Sequence, residues 1–130
     1  VSSLPMISII DDDQAVREAT ESLVRSLGLT ARTFASAEDF LNSALIDETA
    51  CVITDVQMPG MSGVELQSEL RARGADTPLI FITAFPEERV RRQADAGGAI
   101  GFLAKPFDGL AMIECIDRAL ALRGVAPTGP

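Results

Sequence analysis

Ala50-Cys-Val-Ile-Thr-Asp-Val-Gln-Met-Pro-Gly-Met-Ser-Gly63 runs four residues that favour burial, Cys51 to Thr54, straight into the carboxylate of Asp55 and then into a loop rich in Pro and Gly. The β-branched Val52, Ile53 and Thr54 suit a strand covered on both faces, as in a parallel sheet. Asp55 then stands at the carboxyl end of that strand. In open α/β sheets ligands bind at this edge, because the strands stop there and the loops diverge around a crevice. One acid in one loop decides nothing alone. Its meaning depends on how the other strands end.

The chain has 130 residues, 47% of them apolar, which is enough for one well-buried domain and too few for two. That domain is expected over residues 6–122, with a disordered start at 1–5 and a linker or disordered tail at 123–130. The longest apolar runs, such as Leu79 to Thr83, fall far short of the roughly 20 residues needed to span a membrane. Val1-Ser-Ser-Leu-Pro5 lacks the charged and apolar regions of a signal peptide, so the expected location is the cytoplasm. Cys51 and Cys115 show no Cys-x-x-Cys spacing and read as buried free thiols. The formal net charge of −8 opposes nucleic-acid binding by this domain itself. Histidine is absent, which removes the usual general base and the commonest zinc ligand.

Met6 to Ile10 is a short apolar run that breaks into Asp11-Asp12-Asp13. From Ala15, the residues Val16, Ala19, Leu23 and Leu27 follow the helical period, with Asp13 as cap and Gly28 as stop. Ala31 to Phe34 is a second strand, and Ser36 caps a helix whose inner face is Ala37, Phe40, Leu41 and Ala44. Ser62 and Glu65 form a capping box for a helix that continues through Leu66 and Leu70 to Gly74. Pro78 to Thr83 is a buried strand ending in a hydroxyl. Pro86 to Ala96 has helical spacing but only Val90 and Ala94 to anchor it, so it should move easily. Ala99 to Ala104 is a fifth strand that stops at Lys105-Pro106. Asp108 caps a last helix facing inward with Leu110, Ile113, Ile116 and Leu120.

Strands alternating with helices predict an α/β fold: a single doubly wound, five-stranded parallel sheet with five helices, flavodoxin-like. In the strand order 2-1-3-4-5, the first, third, fourth and fifth strands are successive neighbours. Their ends bring Asp11 and Asp12, Asp55, Thr83 and Lys105 to one rim. Carboxylates so gathered repel unless a cation joins them, and a cluster offering only oxygen suits a hard divalent ion such as Mg²⁺.

The acid pair Asp11-Asp12, the motif Asp55-x-x-Met58-Pro59-x-Met61-x-Gly63, Thr83-Ala84 and Phe102-x-x-Lys105-Pro106-Phe107 together resemble the receiver domain of bacterial two-component response regulators, the CheY-like family. The resemblance covers about residues 6–122 without an insertion, and is nearest to receivers that precede a helix-turn-helix DNA-binding domain. It implies that Asp55 accepts a phosphoryl group from the phosphohistidine of a sensor histidine kinase in a Mg²⁺-dependent reaction. Asp12 and Asp55 would ligate the metal directly, Asp11 through water, and Gln57 through its backbone carbonyl. Lys105, after which the family's peptide bond to proline is usually cis, would hold one phosphoryl oxygen, and the Thr83 hydroxyl another. Phe102 would swing inward as the strand-four loop closes, switching a surface formed by the fourth helix, fifth strand and fifth helix. The resemblance also allows a homodimer through that surface on activation and, if the chain is part of a longer one, an attached DNA-binding output domain; the sequence leaves both open.

Two departures stand out. Phe102 lacks the hydroxyl of the tyrosine found in some receivers, and Asp13 stands where many relatives have Glu, a position suited to a helix cap. Two other functions are compatible with parts of this pattern. One is a pseudo-receiver that binds a partner without being phosphorylated. The other is an Asp-nucleophile phosphatase resembling the haloacid dehalogenases, for which Asp11-x-Asp13, Thr83 and Lys105 superficially fit. Against it, Ala15 replaces the usual Thr or Val, and no paired acids follow Lys105.

Overall fold

Apolar strands of four to seven residues, each followed by a helix, pair side by side in a computed structural model that describes residues 4–123. The strands are β1 (Met6–Ile10), β2 (Thr30–Phe34), β3 (Thr49–Asp55), β4 (Leu79–Thr83) and β5 (Gly101–Ala104). All neighbours are parallel, in the order β2-β1-β3-β4-β5. The helices are α1 (Gln14–Ser26), α2 (Ala37–Leu41), α3 (Gly63–Ala72), α4 (Glu88–Ala96) and α5 (Gly109–Leu122). The expected fold class is the observed one. The expected disordered start and tail fall largely on residues 1–3 and 124–130, outside the described residues.

Strand residues alternate between two cores, as the period-two pleat requires. Ile7, Ile9, Cys51, Ile53, Ile80 and Ile82 face α1 and α5, where Val24, Met112, Ile116 and Leu120 meet them. Ile10, Val52, Leu79 and Phe81 face the other side and pack on Phe40, Leu66, Leu70 and Ala94. Full burial of each such side chain stabilises the fold by about 1.5–3 kcal/mol. Both thiols are buried and unbridged. Among the described residues no helix is long and apolar enough to cross a membrane.

Helix starts follow the caps read from the sequence. Asp13 Oδ1 accepts the N–H groups of Ala15 and Val16 at 2.9 and 3.4 Å, and Ser62 and Glu65 form the reciprocal capping box. Three inward faces differ from expectation. Ala19 is exposed, and Thr20 and Val24 take its place; the Thr20 hydroxyl donates to the Val16 carbonyl at 2.7 Å, which lets a polar residue be buried. Helix α2 stops at Leu41, because the Ser43 hydroxyl donates to the Phe40 carbonyl and accepts the Leu45 N–H, offering the chain an alternative to another helical turn. Ala44 therefore lies beyond the helix, exposed, with φ 63°. In α5, Leu110 is 70% exposed, and the buried stripe is Met112, Cys115, Ile116, Ala119 and Leu120. Leu110 sits in the first turn, off this stripe.

Helix α4 is as thinly anchored as expected, with Ala94 its one buried residue and Val90 half-buried. Its carboxyl end is nevertheless gripped. Buried Gln67 of α3 donates from Nε2 to the Ala94 carbonyl at 3.0 Å, and Arg71 donates from Nε to the Gly97 carbonyl at 3.2 Å. A Cβ on Gly97 would collide with the Gln67 amide, so only glycine admits this contact. At its other end, the N-cap Glu87 makes no side-chain cap bond, and residues 84–89 are all exposed.

Candidate phosphoacceptor and metal site

Sheet register decides which side chains meet. Ile10 pairs with Thr54, Asp55 with Ile82, and Thr83 with Ala104, so the next residue along each strand emerges on the same rim. Asp11 and Asp12 follow β1, Asp55 ends β3, Thr83 ends β4 and Lys105 follows β5. Backbone bonds fix these exits: the Lys105 N–H donates to the Thr83 carbonyl at 2.8 Å, and the Val56 N–H to the Ile82 carbonyl at 3.0 Å. The Lys105–Pro106 peptide is cis, as expected from the resemblance.

Asp11, Asp12 and Asp55 each present a carboxylate oxygen within 4.8 Å of the other two. Asp11 is fully buried, Asp55 is 5% exposed and Asp12 is exposed. Lys105 Nζ lies 2.8 Å from Asp11 Oδ2 and 3.1 Å from Asp55 Oδ2. Hydrogen-bond geometry is met only toward Asp55, so buried Asp11 Oδ2 is paired by charge but carries no directed bond. The other Asp11 oxygen accepts the Asp13 N–H at 2.9 Å, and Arg17 holds the Asp11 carbonyl at 2.6 Å. Asp13 itself is occupied as a helix cap and stands outside the cluster.

Burial, with Asp11 beside it, raises Asp55 above the ordinary carboxylate range, and Lys105 and the Gln57 N–H oppose the rise. Burial pulls the Lys105 ammonium the other way, but its ion pairs with Asp11 and Asp55 outweigh that and hold it above its usual value. Three carboxylates facing one ammonium leave an excess of negative charge in a partly desolvated pocket. An all-oxygen donor set with one oxygen lacking a directed partner fits a hard divalent cation.

The remaining predicted residues lie around this cluster. Gln57 follows it in the exposed β3–α3 loop, its N–H donating to Asp55 Oδ1 at 3.3 Å. Gly63 ends that loop, and a Cβ there would collide with the Asp55 carbonyl oxygen. Thr83 is buried, and its Oγ1 accepts the Phe85 N–H at 3.1 Å, which leaves the hydroxyl proton available. Phe102 stands farther along the β5 side, half-buried, its ring 6.3 Å from that of Phe81. It lines a cleft of about 210 Å³ with Pro86, Glu87, Glu88, Arg91 and Ala104. The sequence reading missed Arg17, which reaches back six residues to the Asp11 carbonyl, and Glu38, which bonds a backbone group 23 residues away and of which Gly60 is the one local sign.

The response regulator receiver domain is the family whose model matches this chain, over residues 7–117. The chain belongs to that family. This receiver is 42% identical over 117 residues to the response regulator protein TodT of Pseudomonas putida, covering 90% of this chain and 52% of TodT. It is also 42% identical over 118 residues to the transcriptional regulatory protein FixJ of Azorhizobium caulinodans, covering 91% of this chain and 56% of FixJ. A solved structure of the response regulator StyR superposes with a TM-score of 0.86 at 39% identity, over 92% of this chain and 61% of the StyR chain. The chain thus spans about half the length of the curated relatives it matches. Receiver domains bind Mg²⁺ in general, and the cluster of Asp11, Asp12 and Asp55 is compatible with it.

Proposed function

We propose that this receiver is a cytoplasmic phosphorylation switch in which Asp55 takes a phosphoryl group from a phosphohistidine of a sensor histidine kinase. The observation that carries this reading is the convergence of three carboxylates within 4.8 Å, with Lys105 set against Asp11 and Asp55. An Asp55 oxygen attacks phosphorus, a P–O bond forms, and the P–N bond breaks with its electron pair returning to the kinase imidazole. Such transfers depend on positioning and charge neutralisation more than on covalent assistance. Asp12 and Asp55 would hold Mg²⁺ directly, with Asp11 acting through water and Gln57 through its backbone carbonyl. When bound, Mg²⁺ supplies charge neutralisation to the carboxylates and the phosphoryl oxygens.

Lys105 holds one phosphoryl oxygen, and the Thr83 hydroxyl donates its uncommitted proton to another. That contact draws the loop after β4 inward, and Phe102 follows into the space released. The face formed by α4, β5 and α5 then differs between the two states and serves as the output and dimer surface. Kinase access is supported by an apolar groove of about 430 Å³ beside Lys105, lined by Ala15, Val16, Ala19, Leu23, Pro106 and Phe107. It suits the apolar face of a partner helix. The similarity to transcriptional regulatory proteins of which the matched segment covers only about half supports a DNA-binding output domain in the full-length chain.

Incubation with acetyl phosphate and Mg²⁺, followed by intact mass measurement, tests the proposal. A gain of one phosphoryl group that Asp55→Asn abolishes is the expected result. Incorporation into Asp55→Asn would move the acceptor elsewhere, and no incorporation into the native chain would leave a pseudo-receiver.

A further inference from the structure

Glu38 belongs to the first turn of α2, yet its carboxylate reaches the loop between β3 and α3, where Oε2 accepts the Met61 N–H at 2.9 Å. The loop is shaped to admit it. Gly60 has φ +79°, and a Cβ there would stand 2.6 Å from the same Oε2. Any other residue at this position would both strain the backbone and displace the carboxylate. The loop's base is closed by the Gly63 N–H, which donates to the Val56 carbonyl at 2.8 Å. Residues 57–62 are therefore held at the crest by Glu38 and at the base by their own backbone.

This loop presents Gln57 to the acidic cluster. The Gln57 N–H orients Asp55 through Oδ1, and the Gln57 carbonyl is the backbone ligand of the proposed metal site. From this we infer that Glu38 is a positioning residue for the cation site: it acts through the Met61 amide on the loop that carries Gln57. It is not a member of the cluster of Asp11, Asp12 and Asp55. Holding the loop in its binding conformation before the ion arrives removes an ordering cost from binding, and outer partners of this kind typically change metal affinity about 10- to 100-fold. Glu38 is exposed and acts at one remove, so its effect belongs at or below the lower end of that range.

The inference rests on the metal-dependent reading above, and two measurements separate their fates. Mg²⁺ titration calorimetry and amide hydrogen exchange of the metal-free protein are compared for the native chain, Glu38→Ala and Glu38→Gln. Glu38→Ala is expected to weaken Mg²⁺ binding roughly 3- to 10-fold and to speed exchange of the Met61 amide without metal. Glu38→Gln, whose amide oxygen still accepts the Met61 N–H, should stay near native in both. Native affinity in Glu38→Ala, or a Glu38→Gln as weak as Glu38→Ala, overturns the inference while leaving the metal site standing. A native chain that takes up no Mg²⁺ overturns both.

Discussion

The ammonium of Lys105 and the fully buried carboxylate of Asp11 stand 2.8 Å apart, and no directed hydrogen bond reaches that Asp11 oxygen. In the metal-free fold Lys105 thus provides the counter-charge that a divalent ion would otherwise bring. Removing one partner of a buried ion pair is costly because the other charge remains buried and unpaired.

Lys105→Ala should accordingly destabilise the metal-free protein by about 3 kcal/mol and slow phosphorylation. The same change removes a competing cation, so added Mg²⁺ should raise the variant's melting temperature more than the native one's. Thermal unfolding with and without Mg²⁺ measures both effects. Equal Mg²⁺ shifts in the two proteins would show that Lys105 and the ion do not compete.

Asp55→Asn removes one of three clustered carboxylates, the one that burial and Asp11 hold above the ordinary range. Without metal the variant should therefore have the higher melting temperature, and it should take up no phosphoryl group. A lower melting temperature than the native chain would show that the Lys105 bond outweighs the crowding.

Asp12 is exposed and outside the Lys105 pairing, so Asp12→Ala should change metal-free stability by no more than about 0.5 kcal/mol. Loss of a charged ligand should still weaken Mg²⁺ binding by at least about tenfold. Calorimetric titration beside urea unfolding distinguishes the two quantities. Unchanged affinity would remove Asp12 from the ligand set.

Alkaline pH offers a test of the core. Burial pushes the Cys51 thiol far above its ordinary value, so the folded chain keeps a proton that the unfolded chain releases. Stability should fall as pH rises above about 8.5, by up to about 1.4 kcal/mol per pH unit. The chain has no tyrosine, and Lys105 is held above its normal range, so neither obscures the onset. Urea unfolding between pH 8 and 10 should show the slope in the native chain and a smaller one in Cys51→Val.

Much of this molecule was legible from residue order because its strands end in chemistry. Asp11, Asp12, Asp55 and Lys105 each follow an apolar run, and strand pairing alone brings them together. The caps at Asp13, Ser62 and Asp108 were readable because capping is local. Leu110 and Ala19 misled because hydrophobicity at helical spacing does not say which turn reaches the sheet. Helix α2 ended early through competition between the Ser43 hydroxyl and the backbone, which apolar periodicity does not register. Glu38 and Gln67 were invisible for a different reason: each bonds a backbone group 23 or 27 residues away, and only the glycines beside those contacts hint at them.

The grip of Gln67 and Arg71 on one end of α4 makes that helix a lever. With its carboxyl terminus clamped and its first turn anchored only through half-buried Val90, any displacement grows with distance from Gly97. At 1.5 Å per residue the far turn lies about 14 Å from the pivot, so a 10° rotation would carry it roughly 2.4 Å and Ala94 only about 0.8 Å. The amplitude of any signal read on this helix is therefore largest beside Phe102 and fades toward the opposite rim.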